Sequence, residues 1–168
     1  MRHQVQPATS ADVAHLAMLL EDAPASLDWP EKDSSRRLLE ACAFSAQIWS
    51  ARRLSDGLPS ALWGVTPNLY NPEIGYLWML AATSFDEHPR ELSMLCRLVL
   101  PEMLEQFPRL EQRIVAGRDS TLDLLRSLGF TIGEAKRGLG DPTAVHHVWL
   151  ESNELSHLSS HTGALLVH

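Results

Sequence analysis

Apolar positions along the chain change rhythm several times, and each change marks an element. The stretch "HQVQPATSADVAHLAMLLEDAP" reads as a short strand, a turn and then a helix. Ser10 or Thr9 can cap that helix, Asp12 suits its first turn, and Val13, Leu16, Met18, Leu19 and Leu20 supply its apolar face. In "PEKDSSRRLLEACAFSAQIWSAR" a second helix is predicted, with Leu38, Leu39, Ala41, Cys42 and Phe44 facing inward and its last part, "AQIWSARR", turning into a strand. Turn signals at Asp56-Gly57-Leu58-Pro59 and Asn71-Pro72 separate "SALWGVTP" from "EIGYLWMLAAT", the pattern of an antiparallel meander.

Downstream the period returns to three and four. Leu92, Leu95, Cys96, Val99, Met103 and Phe107 predict an amphipathic helix, in which Pro101 should make a kink or a boundary. "LEQRIVAG" reads as a strand and "RDSTLDLLRSLGF" as a short helix capped by Asp119 or Ser120, with Gly129 placed for a left-handed residue past its end. "FTIGEAKRG" and "AVHHVWLES" are two further strands around the loop "GLGDPT". The mixture predicts an α/β (α+β) fold: one domain over residues 1–150 with a mixed central sheet of six to seven strands flanked by about four helices. Residues 151–168 form a C-terminal extension, a candidate contact arm.

Composition narrows the function classes. A chain of 168 residues, 45% hydrophobic and 21% charged, is sized and composed for one buried core. No apolar run approaches the roughly 20 residues of a membrane span, and "MRHQVQPATSAD" lacks a signal-peptide core, so a soluble, cytoplasmic protein is the default expectation. The net charge of −7 argues against nucleic acid, which needs clustered cations, and Arg36-Arg37 and Arg52-Arg53 read as solvated pairs. Cys42 and Cys96 are too few for a disulfide framework or a zinc site and read as small buried hydrophobes. His146-His147 sit next to each other on a strand, whose alternation sends them to opposite faces, so no metal site is expected. Trp49, Trp63, Trp78 and Trp149 all fall on predicted strands and read first as sheet packing.

Residues 77–96, "LWMLAATSFDEHPRELSMLC", run from strand through polar loop into helix, the shape of a phosphate cradle. Cradles of this kind use glycine for close backbone approach, yet none lies between Gly75 and Gly117, and Asp86 and Glu87 sit in the loop.

The order of elements, with "VQPATSADVAHLAMLL" at the start and "LDLLRSLGFTIGEA" near the end, resembles the Gcn5-related N-acetyltransferase (GNAT) fold over about residues 3–150. That resemblance implies acetyl-CoA as cofactor, held by a (Gln or Arg)-x-x-Gly-x-(Gly or Ala) loop at the start of the long helix. Here the matching frame begins at Arg90, with Ser93 and Leu95 at the small-residue positions. If acetyl-CoA binds, the resemblance places Leu80, Ala82, Arg90 and Ser93 against it. The family's tyrosine acid in "LYEKLGF" falls on Leu125, which has no proton to give. A general base would stand beside the fourth strand, where Glu73 is the best carboxylate and His88 the best imidazole; their plainer readings are a turn residue and a helix-entry residue.

Within the fold, "ALWGVTP…GYLWMLAATSF" and "LEQFPRLEQRIVAGRDSTLDLLRSLGF" resemble a divergent phage group related to internal virion protein A, the internal core protein of short-tailed phages. Trp78, Leu80, Ala82, Thr83, Leu128, Gly129, Phe130, Gly133 and Glu134 carry that match. It implies a virion-associated or morphogenesis protein that uses the fold as a scaffold, has a degenerate acetyl-CoA site and needs no cofactor. The implied partners are other virion or assembly proteins or a second copy of the chain, in the virion, the infected-host cytoplasm or otherwise the bacterial cytoplasm. The alternative is an N-acetyltransferase moving acetyl from acetyl-CoA to an amine.

Overall fold

The computed structural model describes residues 1–22, 34–81 and 88–153. Ala82, Thr83, Asp86, Glu87 and the tail from residue 154 lie outside the described residues, as does the side chain of Leu20. The elements are β1 (His3–Pro7), α1 (Ser10–Asp22), α2 (Ser34–Phe44), β2 (Gln47–Arg53), β3 (Pro59–Pro67), β4 (Ile74–Ala81), α3 (Pro89–Gln106), β5 (Arg109–Val115), α4 (Asp119–Ser127), β6 (Thr131–Ile132), β7 (Lys136–Arg137) and β8 (Ala144–Glu151). They build the mixed α/β domain that the periodicity predicts. The sheet has eight strands rather than six or seven, in the order β1-β2-β3-β4-β5-β8-β6 with β7 also against β8. "FTIGEAKRG" accounts for the difference: it pairs with β8 as two short pieces, interrupted where Gly133 donates its N–H to the His147 carbonyl.

Two antiparallel runs make up the sheet. β1 to β4 form the first run, which contains the expected meander of β3 and β4, and β5, β8 and β6 form the second. A single parallel pairing, β4 with β5, joins them. α3 and α4 cover one face through Leu95, Val99, Met103 and Leu122 against Trp63, Leu110 and Ile114. α1 and α2 cover the other face over the first run only, through Leu16 and Leu38 against Leu62, Trp78 and Leu80. β3 lies between these layers and is buried on both sides as far as Val65, which is why it reads as a nearly continuous apolar run.

Several expectations are corrected. On α1 and α2, Met18 (67% exposed), Leu39 (53%) and Phe44 (72%) face outward. Each helix reaches the sheet through one narrow stripe, and at 100° per residue Met18 lies on the far side from Leu16. Pro101 neither ends nor divides α3, which runs unbroken to Gln106. The ring sits on the exposed side, where water can satisfy the carbonyl it orphans. At the start of α4 the capping position is Arg118, with no side-chain cap from Asp119 or Ser120. Thr9 does cap α1, in a reciprocal pair of hydrogen bonds with Asp12. Gly129 is left-handed (φ 95°), with Phe130 N–H donating to the Leu125 carbonyl and Gly129 N–H to that of Arg126.

Trp78 needs its neighbour to be glycine. The indole lies flat over Gly64 on β3 and donates to Ser45 Oγ at 2.8 Å, so a methyl group at Gly64 would overlap the ring. Gly64→Ala is expected to destabilise the fold by about 1–3 kcal/mol, read as a lower urea midpoint with an unchanged slope.

Candidate functional site

The parallel pairing of β4 with β5 covers three residue pairs: Ile74 with Arg109, Gly75 with Leu110, and Tyr76 with Glu111. Beyond Tyr76 the strands part. β4 continues to Ala81 held by β3, and β5 to Val115 held by β8, with no pairing between them. The closed end is packed tightly, since a Cβ on Gly75 would meet the Phe107 ring at 2.8 Å as well as Val65. Toward Ala81 and Val115 the sheet is an open wedge whose two edges carry backbone N–H and C=O groups, a template for an extended ligand.

Side-chain alternation on β5 gives the wedge two different sides. Gln112 faces α3 and α4, where it meets Leu77, Met79, Cys96, Thr121 and Leu125 around a cavity of about 20 Å³, room for roughly one water. Cys96 is enclosed there: Trp63 Nε1–H donates to its sulfur at 2.9 Å, and burial pushes the thiol up to about 12, so it stays protonated. Leu125, at the family's tyrosine position, is buried in the wall of this cavity.

Glu111 and Arg113 face the opposite side, which α1 and α2 do not reach. There they line a cavity of about 640 Å³ together with Glu134, Lys136, His147 and Trp149. This volume is in the range of small-molecule sites. A charged network shapes its floor. Arg109 Nε donates to Glu111 Oε1 at 2.7 Å and its Nη1 to Glu151 Oε1 at 2.6 Å, with the guanidinium 5.4 Å from the Trp149 ring centre. His147 Nε2 lies 3.2 Å from Glu111 Oε2. Burial pushes the Glu111 carboxyl up, but hydrogen bonds from Arg109 and His147 and their charges outweigh it, leaving the group below its ordinary value.

The residues singled out from sequence are scattered. Glu73 sits at the closed end of the wedge, donating its N–H to Asn71 Oδ1 and accepting from the Arg109 amide. His88 occupies the capping position of α3, and Arg2 Nη1 donates to its Nε2 at 2.8 Å. Arg90 is exposed on the first turn of α3 and has no hydrogen-bond or ion-pair partner among the described residues. Ser93 Oγ lies 3.1 Å from Ser127 Oγ on α4. Leu80 stands on the β4 edge of the wedge, with its side chain buried under α1 and α2. Leu95, at the second small-residue position, is wholly buried in the α3 core and presents no side chain at the helix start. The start of α3 thus gathers His88, Arg90 and Ser93 near the open end, where Leu80 stands on the β4 edge, while Glu73 lies at the closed end. Glu111, Gln112 and Thr121 are additions from the structure, the alternation in "RLEQRIV" being the trace of the first two, while Cys96 and His147 stood in the sequence only as a core residue and an excluded metal ligand.

His146 and His147 do point to opposite faces, His146 Nδ1 lying 2.8 Å from the Gly133 carbonyl. Among the described residues no cluster could hold a metal ion, and no helix is long and apolar enough to cross a membrane.

No protein-family profile matches the chain, and no curated protein matches it in sequence. Solved structures do match it. The ribosomal-protein-S5-alanine acetyltransferase from Vibrio fischeri superposes with a TM-score of 0.67 at 12% identity, covering 90% of this chain and 93% of that one. A chimera built on the spermidine N-acetyltransferase of Vibrio cholerae gives 0.69 at 10% identity, over 92% and 99%. A ribosomal L7/L12 α-N-protein acetyltransferase in complex with coenzyme A gives 0.67 at 12% identity, over 90% and 94%. The fold is that of the GNAT acetyltransferases.

Glu111 yields a pH prediction. A carboxyl more acidic in the folded state than in the unfolded one stabilises above its ordinary value of 4.5 and loses that contribution as pH falls through the folded value. The urea midpoint of Glu111→Gln should therefore lie below that of the wild type at neutral pH, and the gap should close in acid below about pH 4.5.

Proposed function

We propose that the protein is an N-acetyltransferase that moves acetyl from acetyl-CoA to an amine, with the donor entering the wedge between β4 and β5. The observation that carries this reading is the parting of the two strands beyond Tyr76 and Glu111, which leaves two backbone edges facing an extended, amide-bearing arm. The residues present fit such a donor at both ends. The Arg90 and Glu91 amides, without a partner among the described residues, and the side chain of Arg90 suit phosphate, while the Glu91 carboxylate is occupied by the Arg2 and His3 amides at 2.6 and 3.1 Å. Leu77, Met79 and Leu125 make an apolar wall for the acyl end, and methionine re-packs readily, so the present 20 Å³ can widen.

Acetyl-CoA would supply an acyl group already activated as a thioester. Leu125 cannot protonate the departing sulfur, but a thiol with an ordinary value of about 8.5 leaves as thiolate without help near neutral pH. The protein's own contribution would be positioning, exclusion of water on the α3–α4 side and removal of the acceptor's proton.

The second reading is a phage virion-associated or morphogenesis scaffold, with other virion or assembly proteins or a second copy as partners and the C-terminal tail as contact arm. Leu125 in place of the acid and the one-water cavity behind the wedge favour it. Calorimetric titration with acetyl-CoA separates the two. Micromolar binding is expected, and Arg90→Ala should weaken it about tenfold, the loss of one charge-assisted phosphate contact. Silence up to millimolar acetyl-CoA would overturn the transferase reading in favour of the scaffold.

A further inference from the structure

The cavity of about 640 Å³ on the open face of β5 and β8 has a donor–acceptor pattern of its own. Glu111 is ionised; its Oε1 accepts from Arg109, and its Oε2 lies 3.2 Å from His147 Nε2. A carboxylate can only accept, so a neutral imidazole that turns Nε2 to it carries its hydrogen there and leaves the Nδ1 lone pair bare. His147 is 46% exposed, so Nδ1 is reachable from the cavity. Glu111 is only 13% exposed and is fixed by Arg109, which makes it a rigid orienting group. The Trp149 ring, its centre 5.3 Å from that of His147, forms an apolar floor. Arg113 on β5, directly opposite His147 on β8, and Lys136 on β7 line the same space with no hydrogen-bond or ion-pair partner among the described residues. Glu134 and Asp141 complete the charged groups around it, Asp141 already accepting from the Thr143 amide. A cavity with free guanidinium and ammonium groups beside a carboxylate-held base matches a ligand carrying both signs.

Its position matters as much as its chemistry. Glu111 is the last β5 residue paired with β4, and its neighbour Gln112 lines the cavity on the other side of the sheet. The two cavities therefore lie back to back across β5 where the strands part, about one strand spacing of 4.8 Å from the gap.

We propose that this cavity holds the acyl acceptor, a small amine that also bears a carboxylate, and that His147, oriented by Glu111, takes its ammonium proton. The inference rests on the transferase reading and deepens it. His147 Nδ1 receives the proton directly or through one water. The freed nitrogen lone pair forms the N–C bond to the acyl carbon as the C–S bond breaks, its electron pair staying on sulfur, and the second amine proton neutralises that sulfur. Arg113 and Lys136 hold the carboxylate, and Glu111 acts as a positioning residue.

Three measurements test it on the whole protein. Nitrogen-15 spectra at about pH 8, above the ordinary imidazole range, should show His147 as the Nε2–H tautomer and a loss of that preference in Glu111→Gln; an Nδ1–H tautomer in the wild type would overturn the dyad. Release of free thiol from acetyl-CoA should be followed with the standard amino acids and with their amides. At least one acid should react about tenfold faster than its amide, the step expected from one charge-assisted contact, and Arg113→Ala should erase the difference. Equal rates, or no transfer to any of them, would overturn the acceptor assignment. His147→Gln should lower kcat about 100-fold or more and remove the acidic limb of the pH profile, with calorimetric affinity for acetyl-CoA unchanged. An undiminished kcat would sink the base. Failure of the wild type to bind acetyl-CoA strikes the underlying reading instead, and the tautomer still decides the dyad.

Discussion

Two antiparallel half-sheets meet in a parallel pairing of residues 74–76 with 109–111 and then separate, and most of what distinguishes this molecule hangs on that junction. A parallel neighbour needs a crossover, and α3 supplies it, running back from the open end of β4 to the closed end where β5 begins. Phe107, at the end of α3, packs against Gly75 and so pins the closed end by sterics as well as by hydrogen bonds. At the other end each strand is satisfied on its outer side by its own half-sheet, β4 by β3 and β5 by β8. The inner edges can then remain apart without either strand losing its place.

The separation also explains why the helices are distributed as they are. α1 and α2 stop at the first half-sheet, so the second is packed by α3 and α4 on one face and left open on the other. On β5 this asymmetry is written residue by residue: Leu110, Gln112 and Ile114 turn inward, while Glu111 and Arg113 turn to the open face. A charged network with Arg109 at its centre is stable there because its members remain partly solvated and satisfy one another. The same residues buried under a helix would carry a heavy desolvation cost.

Much of the fold was legible because local rules and packing agree. The meander, the 3.6-residue rhythm of the long helix and the left-handed Gly129 each follow from short-range chemistry, and each stands where its residues predict. The departures come from tertiary override. Met18, Leu39 and Phe44 are apolar at positions the sheet never reaches, and Pro101 is harmless because its side of α3 faces water.

The chain's own residues determined the element order, the fold class and the poor match at the start of α3, since periodicity and turn chemistry act over a few neighbours at a time. They also determined that Leu125 could not be an acid. Which of the candidate residues stand together was decided only in three dimensions. Glu73 and His88 were chosen for being near one strand in sequence, yet one closes the wedge and the other caps a helix against Arg2. Glu111 and His147 are far apart along the chain and meet only because β8 inserts beside β5 in antiparallel register. Such a contact depends on strand order and register, long-range quantities that no local pattern encodes.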